Sequence, residues 1–160
     1  MADGQNPSTI LIVDDEVAVV QCLTALLELE SDHRVLGETS PVRAIQSAKV
    51  NSPDLVISDF LMPEMDGIKF LLEIRGLYPE STLILLTGYA DKENAIRAIN
   101  SVGLYQYIEK PWDNDSLLIV IKNGLEKRAL LRALEKKIAE LDEAHSSLKS
   151  IQTELIKAFM

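Results

Sequence analysis

Four short apolar runs along the chain each stop at a polar residue of defined chemistry. Ile10–Val13 runs into Asp14 and Asp15, Leu55–Ser58 into Asp59, Leu83–Leu86 into Thr87, and Tyr107–Glu109 into Lys110. With a fifth, shorter run, the pattern predicts strands at about 9–13, 34–38, 54–58, 82–87 and 105–108. The runs are apolar almost throughout, as suits parallel strands covered on both faces.

Between them the period changes to that of a helix, over about 16–30, 41–51, 66–76, 91–101 and from 113 onward. Val20, Leu23, Leu26 and Leu27 form one stripe on the first helix. Ser40 before Pro41 reads as an N-cap with proline at the first helical position. Asp66, Asp91 and Asp113 are N-cap candidates for the third, fourth and fifth helices, and Gly76 with Pro79 is expected to close the third. Strand and helix in alternation predict an α/β fold: a five-stranded parallel sheet, doubly wound, with helices on both faces. Every polar residue named above then falls at one edge, the C-terminal ends of the strands, where open α/β sheets bind ligands.

After residue 124 the pattern changes again. Proline disappears and Gly124 is the last glycine; Leu134, Leu141, Leu148 and Leu155 recur every seven residues. Leu131 and Ile138 lie three residues before the first two of them, giving a and d positions of a heptad. On an uninterrupted heptad the later a positions are His145, Gln152 and Phe159. The expected organisation is a leader at 1–8, a domain at 9–126, and a coiled-coil helix at 127–160 continuous with the fifth helix. Such a stripe needs a partner, and Lys137 at g facing Asp142 at e of a second copy favours a parallel homodimer through residues 131–159.

Composition narrows the classes. The chain has 160 residues, is 47% hydrophobic and carries a net charge of −9, which speaks against direct nucleic-acid binding. One cysteine, Cys22, excludes an internal disulfide; beside Val20 and Leu23 it is expected to be a buried small hydrophobe. His33 and His145 match no metal-ligand spacing. No signal-peptide core or membrane-length apolar run is present, so the expected location is cytoplasmic.

At the sheet edge, three carboxylates brought together repel one another and favour a divalent cation such as Mg²⁺. A lysine and a hydroxyl beside them suit a phosphoryl group. Singly, each has a plain structural reading: Asp14 as a helix cap, Asp59 as a turn residue, Lys110 as a solvated lysine, Thr87 as a strand end. Jointly, four strand ends with matching chemistry point to an aspartyl phosphate site with Asp59 as acceptor.

These stretches identify a resemblance. Ile-Leu-Ile-Val-Asp14-Asp15-Glu, Asp59-Phe-Leu-Met-Pro-Glu-Met-Asp-Gly, Leu-Leu-Thr87-Gly88-Tyr and Tyr107-Ile-Glu-Lys110-Pro111-Trp together resemble the receiver domain of bacterial two-component response regulators, over roughly residues 9–126. The resemblance implies a flavodoxin-like fold and the following roles. Asp59 accepts a phosphoryl group from a phosphohistidine of a sensor histidine kinase or phosphotransfer protein. Asp15, Asp59 and the Leu61 carbonyl ligate Mg²⁺ directly, and Asp14 acts through water. Lys110 pairs with the phosphoryl oxygens, Thr87 moves to hydrogen-bond them, Tyr107 rotates inward behind it, and Gly88 leaves room. The chain would catalyse only its own modification. Leu61 and Tyr89, bulky and without carboxylate or amide, flank the route of attacking water and imply slow self-dephosphorylation.

Narrower stretches resemble receivers placed before hydrogenase-type activators or HD-type phosphodiesterases, although no P-loop, His-Asp pair or helix-turn-helix follows residue 126 within this sequence. The competing expectation is a receiver-like scaffold or dimerisation protein that works without phosphorylation.

Overall fold

A computed structural model describes residues 7–159, the side chain of Tyr89 excepted. Five strands, β1 (Thr9–Val13), β2 (Arg34–Glu38), β3 (Leu55–Asp59), β4 (Thr82–Thr87) and β5 (Gln106–Glu109), alternate with five helices. The helices are α1 (Val17–Glu30), α2 (Pro41–Asn51), α3 (Gly67–Leu77), α4 (Lys92–Val102) and α5 (Asn114–Ala158), and a single 3-10 turn, Tyr89–Asp91, precedes α4. All strand pairs are parallel, in the order β2-β1-β3-β4-β5. This is the flavodoxin-like doubly wound sheet.

Strand periodicity divides the core into two layers. Leu11, Val13, Val56, Leu83 and Leu85 point to the layer filled by Ala44, Ala48, Phe70, Ile74, Ala95 and Ala98 of α2, α3 and α4. Ile10, Ile12, Leu55, Ile57, Ile84 and Leu86 point to the layer filled by Val20, Leu23, Leu27, Leu117, Ile121 and Leu125 of α1 and α5. Because both faces are covered, β1, β3 and β4 are buried almost throughout, which is why their sequences read as unbroken apolar runs.

Strand and helix boundaries fall within a residue of those read from the pattern. Ser40 caps α2 by accepting from Arg43 N–H, and Asp66 caps α3 by accepting from Lys69 N–H at 2.8 Å. Asp113 Oδ2 accepts from both Ser116 N–H and its hydroxyl, each at 2.9 Å. Three expectations need correcting. Gly76 lies inside α3, which runs on to Leu77 and ends at Tyr78. Asp91 holds the N-cap position of α4 without a side-chain cap bond, because the 3-10 turn already orders the backbone there. Cys22 is exposed: at about 100° per residue it sits some 200° around from Val20, so it faces outward while Val20 and Leu23 face the sheet. Of the expected leader, residues 1–6 lie outside the described residues. Ser8 is tied down, donating to His33 Nδ1 at 3.0 Å and accepting from Arg34 N–H.

The chain divides into two compact units, residues 1–125 and 126–160. The first holds the sheet and both core layers. The second is helical, and every residue from Ala129 to Phe159 is exposed. Among the described residues no helix is long and apolar enough to cross a membrane.

Candidate functional site

The parallel register brings the polar strand ends to one edge. Asp14 follows β1 directly, and its N–H donates to the Glu38 carbonyl at the end of β2. Asp59 is the last residue of β3 and lies in register with Leu86 of β4. Thr87 ends β4 in register with Glu109, and Lys110 N–H donates to the Thr87 carbonyl at 2.8 Å. The peptide bond from Lys110 to Pro111 is cis.

Lys110 joins the acidic residues. Its Nζ lies 2.9 Å from Asp14 Oδ2 and 3.1 Å from Asp59 Oδ1. Asp14 is fully buried and also accepts from Glu16 N–H at 2.9 Å through Oδ1. Asp15 is exposed and completes the group: a carboxylate oxygen from each of Asp14, Asp15 and Asp59 lies within 4.8 Å of the others. Such a set fits a hard divalent cation, since it offers oxygen donors and surplus negative charge, with one side open to water.

The electrostatics are asymmetric. Burial, reinforced by the Asp14 carboxylate, pushes the Asp59 carboxyl up to about 6, against the pull of Lys110. Burial alone would lower the Lys110 ammonium; its bonds to Asp14 and Asp59 more than offset this and hold it above its ordinary value. Asp59 is therefore a carboxylate whose charge is poorly satisfied by the protein alone.

Thr87 is the second unsatisfied group. It is fully buried, and its Oγ1 has no hydrogen-bond partner among the described residues. A buried hydroxyl without a partner costs about 1–3 kcal/mol, and an acceptor brought within reach would relieve that cost. Tyr107 is half-buried on β5 and packs against the α2–α3–α4 core layer.

The remaining residues separate into neighbours and supports. Leu61 is 60% exposed; the side chain of Tyr89 lies outside the described residues. At Gly88 a Cβ would meet only Asp91 Oδ2 at 3.6 Å, an ordinary contact, so sterics in this conformation do not require glycine. Glu16 is the N-cap residue of α1 and makes no side-chain cap bond. Gly67 was missed as a site residue. A Cβ there would stand 2.0 Å from the Asp59 carbonyl oxygen, so α3 can start against β3 only with glycine at this position. A glycine directly after the Asp66 N-cap is the visible signal for such a close approach.

The comparisons with known proteins give the family. The model of the response regulator receiver domain matches residues 10–122. The hydrogenase transcriptional regulatory protein HoxA of Cupriavidus necator is 35% identical over 130 residues, covering 81% of this chain and 26% of that protein. The regulatory protein AtoC of Escherichia coli is 35% identical over 138 residues, covering 86% of this chain and 29% of that protein. The chain thus spans between a quarter and a third of the length of these curated relatives. Among solved structures, the signal receiver domain of an HD domain-containing protein from Pseudomonas fluorescens superposes with a TM-score of 0.73 at 35% identity, covering 78% of this chain and 98% of that one.

Proposed function

The chain belongs to the response regulator receiver family, and from that premise we propose that Asp59 is its phosphoacceptor, supplied by a sensor histidine kinase or phosphotransfer protein in the cytoplasm. The observation that carries the proposal is the triad of Asp14, Asp15 and Asp59 bridged by Lys110. Receiver domains of this family generally bind Mg²⁺ at an acidic pocket, and the three carboxylates with the Leu61 carbonyl are the groups that would hold it here. When bound, the cation neutralises phosphoryl oxygens and so lowers the barrier to attack by an anion.

The residues of this chain do the rest. An Asp59 carboxylate oxygen attacks phosphorus, a P–O bond forms, the P–N bond of the phosphohistidine breaks, and the electron pair leaves with the imidazole. Lys110 already lies on Asp59 Oδ1 and passes to the phosphoryl oxygens as charge builds there. The product replaces one carboxylate by a group of about two negative charges with new acceptor oxygens. The unpartnered Thr87 hydroxyl then gains an acceptor, and Tyr107 follows into the space behind it. Together they bias a surface formed by α4, β5 and α5, which passes the state to a homodimeric coiled coil at residues 131–159. The only modification catalysed is the chain's own.

The test is intact-mass measurement after incubation with a small acyl phosphate and Mg²⁺. Wild type gains one phosphoryl group, and Asp59→Asn gains none. Equal modification of the two would remove Asp59 from the role. No modification of wild type by this donor or by a phosphohistidine donor would favour the phosphorylation-independent scaffold.

A further inference from the structure

Ten large apolar side chains between Leu130 and Phe159 are 50–89% exposed. Such a surface on a single helix needs covering. The charge of the segment suits a second copy as the cover. Residues 126–160 carry seven basic and six acidic side chains, a net of +1, while the preceding residues hold the remaining nine basic and nineteen acidic ones, a net of −10. Copies of the helical segment therefore meet without the repulsion that the rest of the chain would impose. This rests on the dimer in the functional reading above and concerns which side chains form its seam.

The spacing of the apolar residues is not one continuous heptad. From Leu131 the steps to Leu134, Ile138 and Leu141 are three, four and three, as a heptad requires. Continuing that phase puts His145 and Gln152 at a positions. Both are polar, in the stretch where a seam needs apolar knobs. A different continuation is apolar throughout: Leu141, Ala144, Leu148, Ile151, Leu155, Ala158. It is reached by taking a step of three, instead of four, after Leu141. Ten residues then separate Ile138 from Leu148 where an unbroken heptad has seven, which is an insertion of three and overwinds a coiled coil locally.

We infer that two copies of this chain pack in parallel through a seam that shifts after Leu141, running through Ala144, Ile151 and Ala158 and leaving His145 and Gln152 at its margin. The shift places small Ala144 beside the overwound point, where the two helices must approach most closely, and moves an imidazole out of an apolar layer where its burial would be costly. Leu141 serves both phases, ending one and beginning the other.

Disulfide cross-linking of the full chain tests this. In a Cys22→Ser background, single cysteines are placed at Leu134, Ala144, His145, Ile151 and Gln152, and mild oxidation is followed over time. A disulfide needs Cβ atoms about 4 Å apart, which seam positions approach and marginal ones do not. Leu134→Cys reports the dimer in either phase. Several-fold faster cross-linking of Ala144→Cys than His145→Cys, and of Ile151→Cys than Gln152→Cys, is the expected result. The reverse order, or equal rates within each pair, would overturn the shifted seam while Leu134→Cys still cross-links. Failure of Leu134→Cys together with a monomeric mass in sedimentation would instead remove the parallel dimer itself, and the seam with it.

Discussion

At the scale of single residues, the site is a place where the protein tolerates an unfavourable charge. Asp59 is raised from the ordinary carboxylate value to about 6 by burial and by Asp14. The folded chain therefore holds this proton more tightly than the unfolded chain. As pH rises from about 4 to about 6 the unfolded state releases it first, so stability falls through that window and stays low above it. At about 1.4 kcal/mol for each tenfold difference, discounted for solvent screening at this partly open site, the ionised group costs about 1–3 kcal/mol in the metal-free protein. Asp59→Asn is accordingly expected to raise the unfolding free energy at pH 7.5 without Mg²⁺ by about 1–3 kcal/mol, and to leave it nearly unchanged at pH 4. Added Mg²⁺ should stabilise wild type, as any ligand selective for the folded state does, and not the variant. Urea titrations at the two pH values check both. A second expectation concerns the acyl phosphate once formed. Leu61, two residues after Asp59, is exposed and offers no polar group to orient water; Leu61→Asn should shorten the lifetime of the phosphorylated protein, read by intact mass against time. The charged residues of the site were legible in the sequence because each ends an apolar run. The unpartnered state of Thr87 and the simultaneous ion pairs of Lys110 with Asp14 and Asp59 were not, because neither follows from residue type or spacing.

At the scale of elements, the start of α3 is the least replaceable joint. Asp66 caps the helix through Lys69 N–H, Gly67 N–H donates to the Phe60 carbonyl at 2.7 Å, and the Gly67 Cα faces the Asp59 carbonyl with no room for a methyl group. Strand β3 and the helix after its loop are thus locked backbone to backbone. Gly67→Ala should force them apart and cost at least the 1–3 kcal/mol typical of overpacking. Asp66→Ala, which removes only the cap, should cost about 1 kcal/mol. Thermal unfolding of the two variants should rank them in that order, with reduced phosphoryl uptake in Gly67→Ala from the displaced Asp59. The elements themselves were legible because buried parallel strands are unbroken apolar runs and helices carry a 3.6-residue stripe. The ends were less so. Gly76 looks like a stop, yet it is exposed with open space where a Cβ would stand, and the helix passes through it for one more residue. Cys22 shows the same weakness: adjacency to buried residues in sequence says nothing about which side of a helix a residue takes.

At the scale of the whole molecule, the candidate site and the exposed apolar stripe lie in different stretches of the chain. Every residue of both core layers, and every candidate site residue, lies at or before Leu125. The exposed apolar stripe lies wholly after it. Destroying the stripe should therefore abolish the proposed association without touching Asp59. Leu141→Asp/Leu148→Asp puts two carboxylates per copy into the proposed seam, where each loses its apolar contact and faces its like across the dimer. The helix itself tolerates them poorly but survives, since aspartate lowers helix propensity by less than 1 kcal/mol per site. The expected outcome is a monomer by light scattering at tens of micromolar, with phosphoryl uptake from a small donor at the wild-type rate. A chain ending at Leu125 should behave in the same way. Wild type at the same concentration should be a dimer. A double variant as dimeric as wild type would move the contact to the receiver surface, and the stripe would then need a different partner.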